Sequence, residues 1–383
     1  MNMIEAAAGA DMARALDAAI DSALAERRIV GCVSLVAERG QVVYRSAAGL
    51  ADREAGLPMT VDTPFRLASV SKPFTTAAAL RLMSDGRLSP DDPVERWLPA
   101  FLPKLANGAS ARITIGHLLA HMAGLDYRFS QPPGGAYAAA GVSDGLDEAG
   151  PDLADNLARI ASVPLDMEPG TAWRYSVATD VLGAVVEAAA GQPLDEAMET
   201  LVTGPLGLGA RFHADPATLA VPYFDERPEP RRMDGVVEVP LPEGFGSAVR
   251  FDPARIAAPS AFFSGGAGMA GRAGDVLTLL EALRSGAFLD AGWREAARRP
   301  RVGAEAMAQG PGWGYSWTGA ILLDPVAAGS SLSEGAVSWG GVYGHWWCID
   351  HARERVTVLL TNTAYEGMIG RLAQDVGAAA AMA

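Results

Sequence analysis

Apolar residues recur at every fourth position near the start of the chain. Met12, Leu16, Ile20 and Leu24 are separated by charged residues such as Asp17. This spacing predicts an amphipathic helix with one buried face. A signal peptide has a basic start and an unbroken apolar core instead, so we expect residues 1–28 to belong to the folded protein.

Strand-like patterns are concentrated at the two ends of the chain. Residues 29–37 and 41–46 are rich in branched side chains and flank an Arg-Gly turn. Residues 344–349 and 355–360 have the same character, and residues 366–380 have the pattern of a closing helix. The two ends are therefore expected to pair in one antiparallel sheet flanked by helices, an α/β (α+β) fold.

The middle of the chain has mostly helical periodicity. The predicted helices cover residues 75–83, 114–121, 153–162 and 178–190. Residues 130–150 and 221–259 are predicted to be long loops that wall an active site, and seven prolines in the second exclude a helix or a central strand there. We expect a sheet domain from residues 1–75 and 260–383, a mostly helical domain from residues 76–259, and an active site between them.

Composition narrows the classes of function. The 383 residues carry a net charge of −14, which disfavours nucleic acid or an anionic membrane as a partner. The longest apolar stretches fall short of the roughly 18 residues that span a bilayer, so no membrane segment is expected. Cys32 and Cys348 are too few for a disulfide framework and lack metal-ligand spacing, which indicates buried strand thiols and a cytoplasmic protein.

Lysine is scarce in this chain, and one of its two lysines lies beside a serine. Lys72 and Lys104 are the only lysines, and the other basic residues are all arginines. A desolvated lysine can act as a base, whereas arginine does not lose its proton at working pH. Ser69 and Lys72 are three residues apart where a loop is predicted to enter a helix, so their side chains are expected within hydrogen-bonding reach. The alternative is a helix-capping serine beside a surface lysine.

A rival nucleophile motif and the histidines indicate less about function than Ser69 and Lys72 do. Residues 141–145 fit Gly-x-Ser-x-Gly, but the buried strand and following helix that such an elbow needs are missing, so we interpret the match as a coincidence in a loop. His117 and His121 lack the Glu of a zinc motif and are interpreted as packing or hydrogen-bonding residues. No phosphate loop or dinucleotide fingerprint is apparent, and no cofactor is expected.

Four segments, in order, resemble one known superfamily. They are residues 64–72 (Pro-Phe-Arg-Leu-Ala-Ser-Val-Ser-Lys), 86–94, 113–125 and 169–176, and the resemblance extends over residues 29–362. Together they resemble the class C β-lactamase-like serine hydrolases, which share the penicillin-binding-protein fold. The resemblance implies that Ser69 is the nucleophile, that Tyr175 is the general base, that Lys72 supports Tyr175, and that the N–H groups of Ser69 and Val342 form the oxyanion hole.

Two departures from the class C pattern indicate a particular branch of this superfamily. Tyr175-Ser176-Val177 replaces Tyr-x-Asn, and Trp339-Gly340-Gly341 replaces Lys-Thr-Gly. The amide and the cation that recognise a carboxylate-bearing β-lactam are thus absent, as in family VIII carboxylesterases, which this pattern resembles. Aromatic residues near these motifs are candidates for the substrate walls. The full set of predicted substrate-binding residues is Tyr127, Phe129, Trp173, Trp339, Gly341, Tyr343 and His345.

The sequence therefore predicts a serine carboxylesterase that hydrolyses short-chain or bulky-alcohol esters through an acyl-Ser69 intermediate. An acyltransferase or a small-amide hydrolase would use the same machinery. A β-lactamase or D,D-peptidase is disfavoured by Val177 and Trp339. A non-catalytic alternative is a penicillin-sensor-like binding module that is acylated once. The expected partner is a small-molecule ester, and the sequence leaves the oligomeric state open.

Overall fold

The computed structural model describes residues 3–382. The helices are α1 (Met3–Ala25), α2 (Lys72–Ser84), α3 (Ile115–Leu119), α4 (Ala136–Ala140), α5 (Leu153–Ser162), α6 (Ala178–Ala190), α7 (Leu194–Met198), α8 (Gly204–Leu206), α9 (Ala273–Ser285), α10 (Ala291–Arg298), α11 (Glu366–Ile369) and α12 (Arg371–Ala380). The strands are β1 (Gly31–Glu38), β2 (Gln41–Asp52), β3 (Leu57–Pro58), β4 (Phe65–Arg66), β5 (Tyr223–Phe224), β6 (Arg231–Arg232), β7 (Val237–Pro240), β8 (Ala248–Phe251), β9 (Ala270–Gly271), β10 (Trp313–Tyr315), β11 (Ala320–Leu322), β12 (Val337–Gly341), β13 (His345–Asp350) and β14 (Arg355–Thr361).

One antiparallel sheet joins the two ends of the chain, as the sequence predicts. Its strand order is β10-β11-β12-β13-β14-β1-β2-β3. The strand β1 pairs with β14 from Cys32 opposite Thr361 to Glu38 opposite Arg355, and this pairing links the first strands to the last. The mixed α/β class with an antiparallel sheet is confirmed.

The sheet is covered by helices on both faces because its strands bury side chains alternately. On β1, Cys32 and Val36 pack with the apolar stripe of α1 and with α12. Val33 and Leu35 face the other way, into the larger core that contains α2, α6 and α9. Period-two alternation along a strand that is buried on both faces produces this pattern. Cys348 lies on β13, and both cysteines are buried free thiols, as predicted.

The helical periodicity predicts the middle of the chain well, but residues 130–150, predicted as a loop, contain the short helix α4, and two further predictions need correction. The helices α5 and α6 match the predicted bounds, but the predicted closing helix is broken at Gly370 into α11 and α12. Residues 221–259, predicted as a structureless loop, contain two small hairpins (β5–β6 and β7–β8) and the 3₁₀ turn Pro253–Ala257. The prolines keep these strands short and outside the main sheet. Among residues 3–382, no helix is both long and apolar enough to cross a membrane.

Candidate active site

The Ser-x-x-Lys segment lies between a short strand and a long buried helix. Strand β4 leads into the 3₁₀ turn Ala68–Ser71, and α2 begins at Lys72. Ser69 therefore precedes the α-helix rather than lying in its first turn, and a 3₁₀ turn also aligns positions i and i+3. Ala68 has a φ of +46°, in the left-handed region that non-glycine residues seldom adopt. The surrounding contacts hold this strained backbone next to Ser69.

Lys72 is held by three hydrogen bonds inside the protein. Its Nζ donates to Ser69 Oγ at 3.2 Å, to the Tyr127 hydroxyl at 2.9 Å and to the Gly266 carbonyl at 2.9 Å. The side chain is only 4% exposed. A buried ammonium needs such acceptors because it has lost its hydration. The three bonds fix the Lys72 nitrogen beside the serine hydroxyl.

Tyr175 is the other direct neighbour of the serine. Its hydroxyl donates to Ser69 Oγ at 2.7 Å, and Trp339 Nε1 donates to the same hydroxyl at 3.4 Å. The Lys72 nitrogen lies 4.8 Å from the centre of the Tyr175 ring. Tyr175 lies just before α6, and Trp339 lies on β12. The fold thus brings together Ser69, Lys72, Tyr175 and Trp339, all of which the sequence predicts as site residues.

Tyr127 has a different position from the one expected of a substrate wall. It is 2% exposed, its hydroxyl bonds Lys72, and its ring stacks on Phe129 at 4.5 Å between centroids. Burial, and then the nearby Tyr175, Asp180 and Asp144, raise the pKa of Tyr127 well above its ordinary value. Tyr127 is therefore a neutral phenol at working pH. Phe129 lies behind it, and no feature of the sequence predicts the contact between Tyr127 and Lys72.

A buried carboxylate supports the carbonyl that holds Lys72. Asp180, on α6, accepts hydrogen bonds from the Ser264 hydroxyl and from the Gly266 N–H. A side chain at position 266 would have its Cβ 2.7 Å from an Asp180 carboxylate oxygen. Thr75 of α2 donates to the Gly265 carbonyl at 2.7 Å. Residues 264–267, which we call the carbonyl segment, are thereby fixed on both sides. In the sequence, Asp180 could have been noticed as an acidic residue within the mostly apolar stretch that forms α6.

His121 packs against the catalytic tyrosine candidate. Its ring is 5.0 Å from that of Tyr175, and its Nδ1 accepts the Ser176 N–H at 3.3 Å. Burial, and then the charge of Lys72, lower its pKa well below the ordinary value, so the ring is neutral. His117 instead caps α3. Both observations agree with the interpretation of this pair as packing and hydrogen-bonding residues. No group of three or more His, Cys, Asp or Glu within residues 3–382 is arranged to hold a metal ion.

The remaining predicted residues divide into two groups. Trp173 and Trp339 each lie about 5.5 Å or less from the Tyr315 ring and form one aromatic wall with it. The backbone of Gly341 passes against the Ser69 turn, because a Cβ on Gly341 would lie 2.8 Å from the Leu67 carbonyl oxygen. Trp339 and Gly341 thus lie beside the serine cluster, and Trp173 adjoins it through Tyr315.

Tyr343 and His345 are not brought to the serine cluster. His345 is fully buried, and its Nε2 donates to the Arg66 carbonyl at 2.8 Å. Burial lowers its pKa to about 4. Tyr343 stacks on Phe251 at 4.9 Å and lines a separate pocket. The expectation that both contact substrate is not met by this geometry, because the strand pleat and the following turn direct them into the core.

Ser143, from the rival Gly-x-Ser-x-Gly segment, lies inside a hydrogen-bonded loop. It is buried, its hydroxyl donates to Asp147, and its N–H donates to Asn156 at 2.8 Å. The structure gives its hydroxyl no histidine, lysine or tyrosine partner within residues 3–382. This environment is structural and supports the interpretation of the motif as a coincidence.

The arrangement at Ser69 supplies what nucleophilic acyl transfer requires. One hydroxyl is in contact with a phenol and an amine, and both contacts are held by buried groups. A phenol at 2.7 Å is within the distance for direct proton transfer, and the adjacent lysine provides a positive charge.

Comparisons with known proteins agree with this geometry. The model of the Beta-lactamase family matches residues 16–381. Esterase EstB of Burkholderia gladioli is 53% identical over 366 residues, which cover 95% of this chain and 93% of EstB. A solved structure titled "EstCE1, a hydrolase with promiscuous acyltransferase activity" is 44% identical with a TM-score of 0.96, and the match covers 98% of this chain and 99% of that one.

A more distant relative has a transferase name. Monacolin J acid methylbutanoyltransferase of Aspergillus terreus is 33% identical over 225 residues, 54% of this chain and 53% of its own length. The resemblance seen in the sequence motifs is confirmed across almost the whole chain by the family match and by the first two relatives. The chain belongs to the Beta-lactamase family and is a serine hydrolase with that family's fold.

Proposed function

We propose that this protein is a carboxylesterase that works through an acyl-Ser69 intermediate. The observation that carries the proposal is the 2.7 Å contact between the Tyr175 hydroxyl and Ser69 Oγ, beside the buried Lys72 nitrogen. Similarity to Esterase EstB along almost the whole chain supports an ester as the substrate.

In the proposed acylation step, Ser69 Oγ attacks the ester carbonyl while its proton passes to the oxygen of Tyr175. The step starts from Tyr175 after its phenol has released its proton to solvent, and the Lys72 nitrogen, 4.8 Å from the ring centre, and the Trp339 N–H lie beside the resulting negative charge. Tyr175 then protonates the leaving alcohol as the tetrahedral intermediate collapses. In deacylation, water gives its proton to Tyr175 and attacks the acyl carbon, and the proton returns to Ser69.

Tyr127 has a supporting role in this scheme. Its pKa is raised well above the ordinary value, so it keeps its proton and holds the Lys72 nitrogen. Of the two phenols near the lysine, Tyr175 is then the one that exchanges a proton with the serine.

In this proposal, the N–H groups of Ser69 and Val342 stabilise the oxyanion of the tetrahedral intermediate. Ser69 lies in the first turn of a 3₁₀ segment, where N–H groups lack an acceptor within the helix. The Leu67 carbonyl and Gly341 lie close together, so this turn and the end of β12 are adjacent. Two N–H donors at one point stabilise the developing negative charge in acyl transfer.

The aromatic wall of Trp173, Tyr315 and Trp339 is proposed as the surface that receives the substrate. It offers apolar rings where the β-lactam-binding members carry a lysine, so it suits uncharged esters with a short acyl chain or a bulky alcohol. A cytoplasmic location, predicted from cysteine usage, is part of the proposal.

A second candidate function is acyl transfer to an alcohol other than water. The similarity to a methylbutanoyltransferase and to a hydrolase with promiscuous acyltransferase activity favours it. Both activities would pass through the same acyl-Ser69 intermediate and differ only in the acceptor.

Stopped-flow release of p-nitrophenol from its acetate and butyrate esters tests the proposal. We expect a burst followed by steady turnover, and we expect both to be lost in Ser69→Ala and retained in Ser143→Ala, the serine of the rival motif. Diversion of product by an added alcohol would identify the transferase. A burst without turnover, with or without alcohol, would indicate a sensor, and nitrocefin turnover equal to ester turnover would indicate a β-lactamase. Full esterase activity in Ser69→Ala would exclude the mechanism.

A further inference from the structure

A second pocket lies behind the segments that carry the catalytic groups. Its lining includes Arg66, three residues before Ser69, and Tyr343, next to Val342. Ser69, Lys72, Tyr127, Tyr175 and Trp339 are not part of the lining. Its cavity volume, the space that the centre of a water molecule can occupy, is about 30 Å³, and the wider space of about 440 Å³ includes open solvent. The inner space accommodates a head group of a few atoms, and a longer group extends into the mouth.

Two buried guanidinium groups face this pocket. Arg66 is 8% exposed and donates to the carbonyls of Pro253 and Ala220, at 2.9 and 3.3 Å. Within residues 3–382 it has no carboxylate within 4 Å, and its Nη2 has no hydrogen-bond acceptor. Arg255 is equally buried and donates mainly to backbone carbonyls, with its only carboxylate contact in the described chain at 3.9 Å from Asp147. Burial lowers the pKa of both groups.

The other polar groups of the pocket leave this positive charge incompletely balanced. Asp252 is the acid in the lining, and its carboxylate already accepts the Ala254 N–H at 3.0 Å. His213 is exposed at the rim. Tyr343 is 5% exposed, and within the described chain its hydroxyl has no hydrogen-bond partner. Burial raises its pKa to about 12, so the hydroxyl keeps its proton and can donate it to an anion.

The rest of the lining is apolar, so the pocket has an apolar wall beside its charged groups. Phe212, Phe262 and Met269 contribute side chains to it, and the Arg255 guanidinium lies 4.6 Å from the centre of the Phe262 ring. A guanidinium fork and a phenol match a planar carboxylate, and aromatic walls match a short hydrocarbon tail. The Asp252 carboxylate and the small inner volume disfavour a phosphate dianion.

We propose that this pocket binds a short-chain monocarboxylate, with its carboxylate between Arg66 and Tyr343 and its alkyl tail toward the phenylalanines. Binding at this site does not depend on the proposed esterase function. The test contains no ester, so the two proposals can fail separately.

Calorimetric titration of the whole protein with butyrate tests the site, with neutral butyramide as the control ligand. We expect butyrate to bind and butyramide not to bind. Tyr343→Phe removes a hydroxyl that has no hydrogen-bond partner among residues 3–382, so the fold should be kept while butyrate affinity falls about tenfold, the loss of one hydrogen bond to a charge. Arg66→Gln should remove binding.

Trp339→Ala, in the proposed substrate wall at the catalytic serine, is the matched control and should leave butyrate affinity unchanged. Three outcomes would overturn the proposal. They are no detectable butyrate binding, equal affinity in Tyr343→Phe and the unaltered protein, and a loss of binding in Trp339→Ala, which would locate the ligand at the catalytic serine.

Discussion

At the residue scale, two phenols contact the same small group of atoms but have different environments. Tyr127 is buried beside Asp180 and Asp144, and its pKa is raised well above the ordinary value. Tyr175 is partly exposed, contacts the serine directly and accepts from an indole N–H. We therefore propose different roles for the two phenols, because only Tyr175 contacts the serine while Tyr127 is buried against Lys72.

Replacing each phenol by phenylalanine tests this division. Tyr175→Phe removes the group that exchanges the serine proton, so we expect kcat to fall by about 10²–10⁴. Tyr127→Phe removes one of three bonds to Lys72, and we expect a smaller loss, about tenfold, with ester KM little changed. Steady-state kinetics on p-nitrophenyl butyrate, with thermal unfolding to check the fold, provide the measurement. A larger loss in Tyr127→Phe than in Tyr175→Phe would reverse the assignment.

The sequence indicates some of these residues and not others, for a physical reason. Ser69 and Lys72 are three residues apart, so local geometry alone predicts their contact. Tyr127 and Gly266 meet Lys72 across 55 and 194 residues, and such contacts depend on the packing of the whole chain. Tyr343 and His345 were predicted to bind substrate because they follow β12 in sequence, but the directions of their side chains depend on the turn after that strand.

At the scale of elements, the carbonyl segment positions the lysine by close backbone approach. Gly265 lies against the backbone of α6, and Gly266 lies against the Asp180 carboxylate, with no room for a Cβ at either position. The Gly266 carbonyl is directed at Lys72 because its own N–H is bonded to Asp180. Position 266 therefore requires glycine for steric reasons, although its φ is not in the left-handed region.

Gly266→Ala should displace this segment and reduce catalysis. A Cβ 2.7 Å from the Asp180 carboxylate and 3.4 Å from the Tyr127 hydroxyl must push one of them away, so we expect kcat to fall by at least tenfold and the melting temperature to fall. Gly274→Ala, in α9 with no heavy atom within 4 Å of its Cβ, is the matched control and should be neutral or stabilising by about 0.5–1 kcal/mol. Equal activity in the two variants would show that the carbonyl segment does not position Lys72.

The helices and strands agree with those predicted wherever the hydrophobic periodicity extends over many residues. The helices α5 and α6 and the paired end strands have clear periodicity, and the structure forms them as predicted. The hairpins within residues 221–259 involve two to four residues per strand, too few to produce a period. Gly370 breaks the last helix where the apolar pattern continues on both sides, so the pattern alone gave no sign of the break.

At the scale of the whole molecule, buried neutral histidines couple stability to pH. His345 has a pKa of about 4 in the folded protein, while an exposed histidine titrates near 6.5. Between these values the unfolded chain binds a proton that the folded protein does not, so this residue's contribution to stability falls as the pH falls from 6.5 to 4.

Comparing His345→Gln with the unaltered protein isolates this effect, because a glutamine amide can still donate to the Arg66 carbonyl. Between pH 7 and pH 5 the unaltered protein should lose about 2 kcal/mol more unfolding free energy than the variant. Urea unfolding at the two pH values measures the difference. An identical pH dependence in His345→Gln and the unaltered protein would show that the ring is not held neutral.

The central claim is that the fold assembles Ser69, and not Ser143, as the nucleophile of acyl transfer. Rapid quenching of the protein with p-nitrophenyl butyrate, followed by peptide mass mapping, tests it most directly. The account predicts one butyryl group on the peptide that contains Ser69, formed at the rate of the burst and lost at the rate of turnover. A butyryl group on the Ser143 peptide, or turnover without any acylated Ser69, would contradict it.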